Sequence, residues 1–138
     1  PLLAHWQAKT TDHVLARTPT VEDEPDAAAR RDALNALVMH MDIGLERSIR
    51  SWGVYDETVQ AAINETDRRR IAAVVALIEP RATPEETHAA AAGQYATYLG
   101  FVMFQDPATL ELMWKWAPRM IVAFEDGLAE GPPAPPAP

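Results

Sequence analysis

The chain has 138 residues, with 12 lysines and arginines against 20 aspartates and glutamates, a formal net charge of −8 and no cysteine. At this size a domain buries roughly two-thirds of the surface its unfolded form exposes, so one core suffices without a disulfide or structural metal. The acid excess excludes a free-standing nucleic-acid binder, which needs basic groups gathered on one face, and the missing cysteines exclude thiolate catalysis and thiolate metal sites.

Strand signals are nearly absent: no alternating β-branched run flanks an Asn-Gly or Asp-Gly turn, while alanine, leucine, glutamate and arginine recur at helical spacing. The chain therefore reads as an all-α bundle of about six helices, placed at roughly 1–17, 27–52, 56–63, 66–79, 84–105 and 107–126. The opening Leu2-Leu3-Ala4-His5-Trp6-Gln7 lacks the basic start and long apolar run of a secretory signal and reads as a helix entered partway. Thr18 to Pro25 holds two prolines and three acids and reads as a surface loop. In the second helix Leu34, Leu37, Val38, Met41, Leu45 and Trp52 form a core stripe. Asp67 marks the start of the fourth, which places Arg68-Arg69-Arg70 against the helix dipole and predicts pairing with Asp56, Glu57 or Glu65.

Thr83-Pro84-Glu85-Glu86 supplies an N-cap hydroxyl, a first-turn proline and acids where the dipole favours them, and Asp106-Pro107 repeats the device. Between them Ala89, Ala92, Gly93, Ala96 and Gly100 fall in one narrow stripe, with Ala91, Tyr95, Tyr98 and Val102 opposite. A helix apolar on two faces needs cover on both, and a second copy of the chain is the commonest cover. The last helix places Leu110, Trp114 and Ile121 on one face with Trp114 as its anchor. Residues 127–138 become a proline-rich tail of extended, solvated chain. The longest uncharged stretch, Ala89 to Gln105, falls short of a membrane span and reads as a buried helix.

Catalytic signals are missing. Glu85 and His88 form one Glu-x-x-His, but a diiron bundle needs a second copy and two further glutamates. His5, His13 and His40 lack the i,i+4 spacing of a zinc helix and read as surface or pocket-lining residues. With no nucleophile elbow, phosphate-binding glycine loop or dinucleotide fingerprint, the expectation is no enzyme, no metal and no cofactor.

The segment Leu45-Glu46-Arg47-Ser48-Ile49-Arg50-Ser51-Trp52-Gly53, then Asp56 through Val59, then Asp67-Arg68-Arg69-Arg70, resembles the effector-binding half of tetracycline-repressor (TetR) family transcription regulators. Leu2 to Gln7 is similar to the helix linking that family's DNA-reading head to its body, and Ala89 through Gly100 to its penultimate, dimer-forming helix. The likeness spans residues 1–126, with 1–17 as the linking helix, and lacks the family's helix-turn-helix head. It implies a fragment that is a cytoplasmic homodimer without membrane contact, meeting DNA only through the missing head. The last two long helices of each subunit would form a four-helix interface, through Ala89, Ala92, Gly93, Ala96, Gly100, Leu110, Trp114 and Ile121. It also implies a small, partly apolar effector, neutral or cationic, that shifts the tilt of the linking helix and releases DNA. Candidates for its pocket are Trp6, Thr10, Met41, Leu45, Val74, Tyr95, Tyr98 and Leu99. The competing reading is a ligand-free helical dimer acting as an adaptor.

Overall fold

The computed structural model describes residues 1–78 and 80–129; within the last helix, side chains 114, 117, 118, 121, 122, 124–126, 128 and 129 lie outside the description. Among the described residues the fold is all-helical, with six helices and no strand. The chain divides into two compact units, Pro1–Glu79 and Pro80–Pro138.

The first unit opens with α1, continuous through three stretches: an α-helical turn pair Leu2–Gln7, a π-helical segment Ala8–Asp12 and a final turn His13–Leu15. Helix α2 (Ala27–Val38) starts where the Asp26 carboxylate accepts from the Ala28 amide at 3.1 Å. Helix α3 (Ile43–Gly53) follows, so the single helix expected over 27–52 is two. The cause is Asp42, whose carboxylate accepts from the Leu45 amide at 2.9 Å and so satisfies a new helix N-terminus, ending the old one within Met39 to Met41. The break also resets the helical phase. The inward row of α3 runs Leu45, Ile49, Gly53 at four-residue spacing and leaves Trp52, expected in the core, 42% exposed.

Helix α4 (Glu57–Leu77) is one element where two were expected. Asp56 caps it by accepting from the amides of Thr58 and Val59, and no glycine or proline interrupts it. The Thr66 hydroxyl donates back to the Ala62 carbonyl at 2.8 Å, within the helix it was expected to start. Arg68, Arg69 and Arg70 therefore stand mid-helix, away from the dipole end. Trp6, Ile49, Val59 and Ile63 form the core of this unit, with Leu3 and Leu45 packed against it; each fully buried apolar side chain contributes roughly 1.5–3 kcal/mol. Gly53 permits the close passage of α3 over α4, since a Cβ there would lie 2.5 Å from Ile63 Cδ1 and 3.2 Å from Gln60 Oε1.

In the second unit α5 (Pro84–Met103) begins with a full capping box: the Thr83 hydroxyl accepts from the Glu86 amide and the Glu86 carboxylate accepts from the Thr83 amide, both at 3.1 Å. Its two faces differ. Ala91, Tyr95 and Val102 are buried, while Ala89, Ala92, Gly93 and Gly100 are half-buried and Ala96 is exposed. Helix α6 (Pro107–Ala129) packs against α5 and starts at Asp106, whose carboxylate accepts from the amide and the hydroxyl of Thr109. Leu110 is half-buried; the Trp114 and Ile121 side chains, and residues 130–138 of the expected tail, lie outside the described residues. A row not anticipated from sequence, Leu112, Trp116 and Met120, stands 58%, 43% and 48% exposed, with the Arg119 guanidinium 5.1 Å from the Trp116 ring centre.

Candidate ligand site on the first helix

Two faces of α1 position the polar chemistry of the first unit. On the inner face Trp6 and the neighbouring Thr10 and Thr11 are all buried. They meet Glu46 from α3 and Arg70 from α4, both withdrawn from solvent. Trp6 Nε1 donates to Glu46 at 2.6 Å, and Arg70 donates to both Glu46 oxygens at 2.9 and 3.0 Å. Arg70 further donates to the Thr11 hydroxyl at 2.9 Å and the Thr10 hydroxyl at 2.8 Å, while its guanidinium sits 5.5 Å from the Trp6 ring centre. Arg50 carries the network outward, donating to Glu46 at 2.9 Å and to both oxygens of Asp67 at 3.1 and 2.6 Å.

Burial acts most strongly on the Glu46 carboxyl and pushes its pKa up, but the Arg70 hydrogen bonds and charge, the Arg50 charge and the Trp6 hydrogen bond together outweigh it. The result lies below the ordinary glutamate value, and Glu46 is a carboxylate inside the core. Trp6 and Arg70 donate to this anion from α1 and α4, while Arg50 donates from α3 itself, so the network fixes α1 against α3 and α4. It leaves no room for a substrate and is a structural lock.

The outer face is built differently. His5, Lys9 and His13 recur every fourth residue, and Arg17 follows at the same spacing in the turn just past the helix. In an uninterrupted α-helix such a row drifts by roughly 40° per step. The wider turn of the π segment Ala8–Asp12 drifts the opposite way and brings the row back into line. These four side chains border a cleft of about 500 Å³, joined by His40 and Asp42 from the turn between α2 and α3. Its apolar wall is Val14, Leu37, Met41 and Leu45. This volume is within the range of small-molecule pockets. The Asp42 carboxylate is already engaged in capping α3, and neither Lys9 nor Arg17 forms an ion pair among the described residues.

Of the eight residues expected to line a pocket, the structure places Met41 and Leu45 in this cleft. Trp6 and Thr10 belong to the buried lock instead, and Val74 is buried on α4 away from the cleft's lining. Tyr95, Tyr98 and Leu99 lie on α5 in the second unit, where the two tyrosine rings stand 5.7 Å apart. The arginine run pairs as Arg68 with Glu65, Arg69 with Asp12 and Arg70 with Glu46; of the expected partners, Asp56 is instead the cap of α4. Among the described residues no group of three histidines, acids or cysteines is placed to hold a metal ion, and no helix is long and apolar enough to cross a membrane.

Sequence reasoning missed the lock. Glu46 and Arg50 offered only an i,i+4 acid-base pair, a signal shared with any solvated helix face. His5, His13 and His40, expected as surface or pocket-lining residues, do line the cleft, but their grouping with Lys9 and Arg17 was not anticipated. Comparison of the chain with protein-family models, curated proteins and solved structures finds no match.

Proposed function

We propose that this chain is the ligand-sensing and dimerising body of a cytoplasmic transcription regulator similar to the TetR family, with α1 as the transmitting helix. The observation that carries this reading is the position of α1, held by a dense polar lock on one face and bordered by a ligand-sized cleft on the other. A molecule in the cleft that prefers one tilt of α1 shifts the population of tilts by its differential affinity. DNA would be read by a separate helix-turn-helix head, whose spacing in a dimer follows that tilt; the body itself carries a net charge of −8, which opposes the DNA backbone.

Self-association draws support from α5 and α6. The half-buried stripe Ala89, Ala92, Gly93 and Gly100 admits a closely approaching backbone, and the exposed row Leu112, Trp116 and Met120 presents apolar surface beyond it. The same row equally suits a ligand-free adaptor dimer, so the two readings divide on the cleft.

The chain has no cysteine, so spin labels attach only where one is introduced. Labels at the exposed Ala4→Cys on α1 and Ala72→Cys on α4 report the tilt directly. A distance change between them on adding hits from a small-molecule screen supports the sensing reading; an unchanged distance with ligand demonstrably bound sinks it in favour of the adaptor. Sedimentation of the Trp116→Lys variant tests the dimer, which is expected to dissociate.

A further inference from the structure

We propose that the cleft beside α1 is a binding site for an amphiphilic organic anion, one with a carboxylate or phosphate head and a short apolar tail. The inference rests on the sensing reading and deepens it by naming the ligand class. It departs from the neutral or cationic effector expected from sequence, because the cleft's polar rim is basic. In a chain of net charge −8, three of the four histidines gather here with Lys9 and Arg17.

The cations at this rim contrast with five of the other seven arginines of the first unit. Arg50, Arg68, Arg69 and Arg70 each form an ion pair, and Arg30 donates to the carbonyls of Glu24, Pro25 and Leu77. Lys9 and Arg17 form no ion pair among the described residues, and the nearest acid on the rim, Asp42, is turned to the Leu45 amide. A histidine offers an N–H donor in either protonation state, so His5, His13 and His40 add hydrogen-bonding capacity to the fixed charges. Across from this rim stands an apolar wall of Val14, Leu37, Met41 and Leu45, with Met41 able to adjust to tail shape. A charged rim facing an apolar wall matches a charged head joined to an apolar tail.

Titration calorimetry of the whole chain with octanoate, octyl phosphate, octanol and octylammonium tests this. At least one anion is expected to bind 10-fold or more tightly than octanol, a difference of about 1.4 kcal/mol, and octylammonium not to bind. The comparison of octanoate with octyl phosphate identifies the head group. The Lys9→Ala/Arg17→Ala variant is expected to lose the preference for the anion while keeping the unfolding midpoint of the parent, since neither residue contacts the core network. Equal binding of octanol, tighter binding of octylammonium, an undiminished anion affinity in the double variant, or no binding by either anion would each overturn the anion site. If octanol or octylammonium binds instead and moves the α1 to α4 label distance, the anion inference fails and the sensing reading stands. If the anion binds and that distance stays fixed, the site stands and the sensing reading fails.

Discussion

The inner and outer faces of α1 are both polar, and they are polar for opposite reasons. On the inner face Glu46 and Arg70 could remain charged in the core only by finding a complete set of partners, because an unmatched buried charge is too costly to keep. On the outer face Lys9, Arg17 and the histidines border open space, where water serves as partner until something else does. The contrast teaches that the presence of charged residues says little about binding. What separates architecture from a site is whether the donors and acceptors are already matched within the chain.

The sharpest way to break this contrast is to remove the central anion. Glu46→Ala leaves Arg70 without its anionic partner and the Trp6 indole N–H without its acceptor, and is expected to destabilise the chain by about 3–5 kcal/mol. Chemical unfolding measures it, and a loss below about 1 kcal/mol would mean the lock is no lock. The pH profile carries the same information. Because the Glu46 pKa is depressed in the folded state, its contribution is fully present above the ordinary glutamate range and fades as pH falls through the lower, folded-state value. The gap between parent and Glu46→Ala should therefore close on the acid limb alone.

Trp6→Phe keeps most of the ring but deletes the donor at 2.6 Å from Glu46, with an expected loss of about 1–3 kcal/mol. Arg69→Ala cuts the pair with Asp12, which links the same helices α4 and α1 at the rim, where the two side chains are 41% and 52% exposed. Solvent screening reduces that loss to about 0–1 kcal/mol. Smallest of all, Lys9→Ala and Arg17→Ala should each leave stability within about 0.5 kcal/mol of the parent. A larger loss from either would assign the outer row to architecture and erase the distinction between the faces.

Much of the fold was legible in local chemistry. Thr83-Pro84 and Asp106-Pro107 announced the last two helices because a cap acts on amides within three residues of it. Asp42 was as good a cap but stood in an apolar pattern that continued through Met41 and Leu45, and periodicity outweighed it. The division of 56–79 failed for the reverse reason: Asp67 read as a helix start, yet it stands mid-helix and its carboxylate accepts from Arg50. The lock was hidden by distance along the chain, since Glu46 meets Trp6 across 40 residues and Arg70 across 24. No spacing rule reaches that far. The cleft was half visible: Met41 and Leu45 were singled out for their apolar character, while the row beside them depends on a turn geometry that periodicity assumes to be uniform.

That turn gives α1 a reading frame. Bonds from i to i+5 hold one residue more per closed ring than bonds from i to i+4, so Ala8–Asp12 works like an insertion that the helix has absorbed. Wound as ordinary α-helix, the same number of residues would turn everything beyond by roughly 100° relative to Trp6. His13 and Arg17 would then leave the cleft while Trp6 kept its place beside Glu46. Side chains in this helix can be exchanged one at a time, but the extra residue between Gln7 and His13 and the wide turn that absorbs it must be kept or lost together if the two faces are to stay in register.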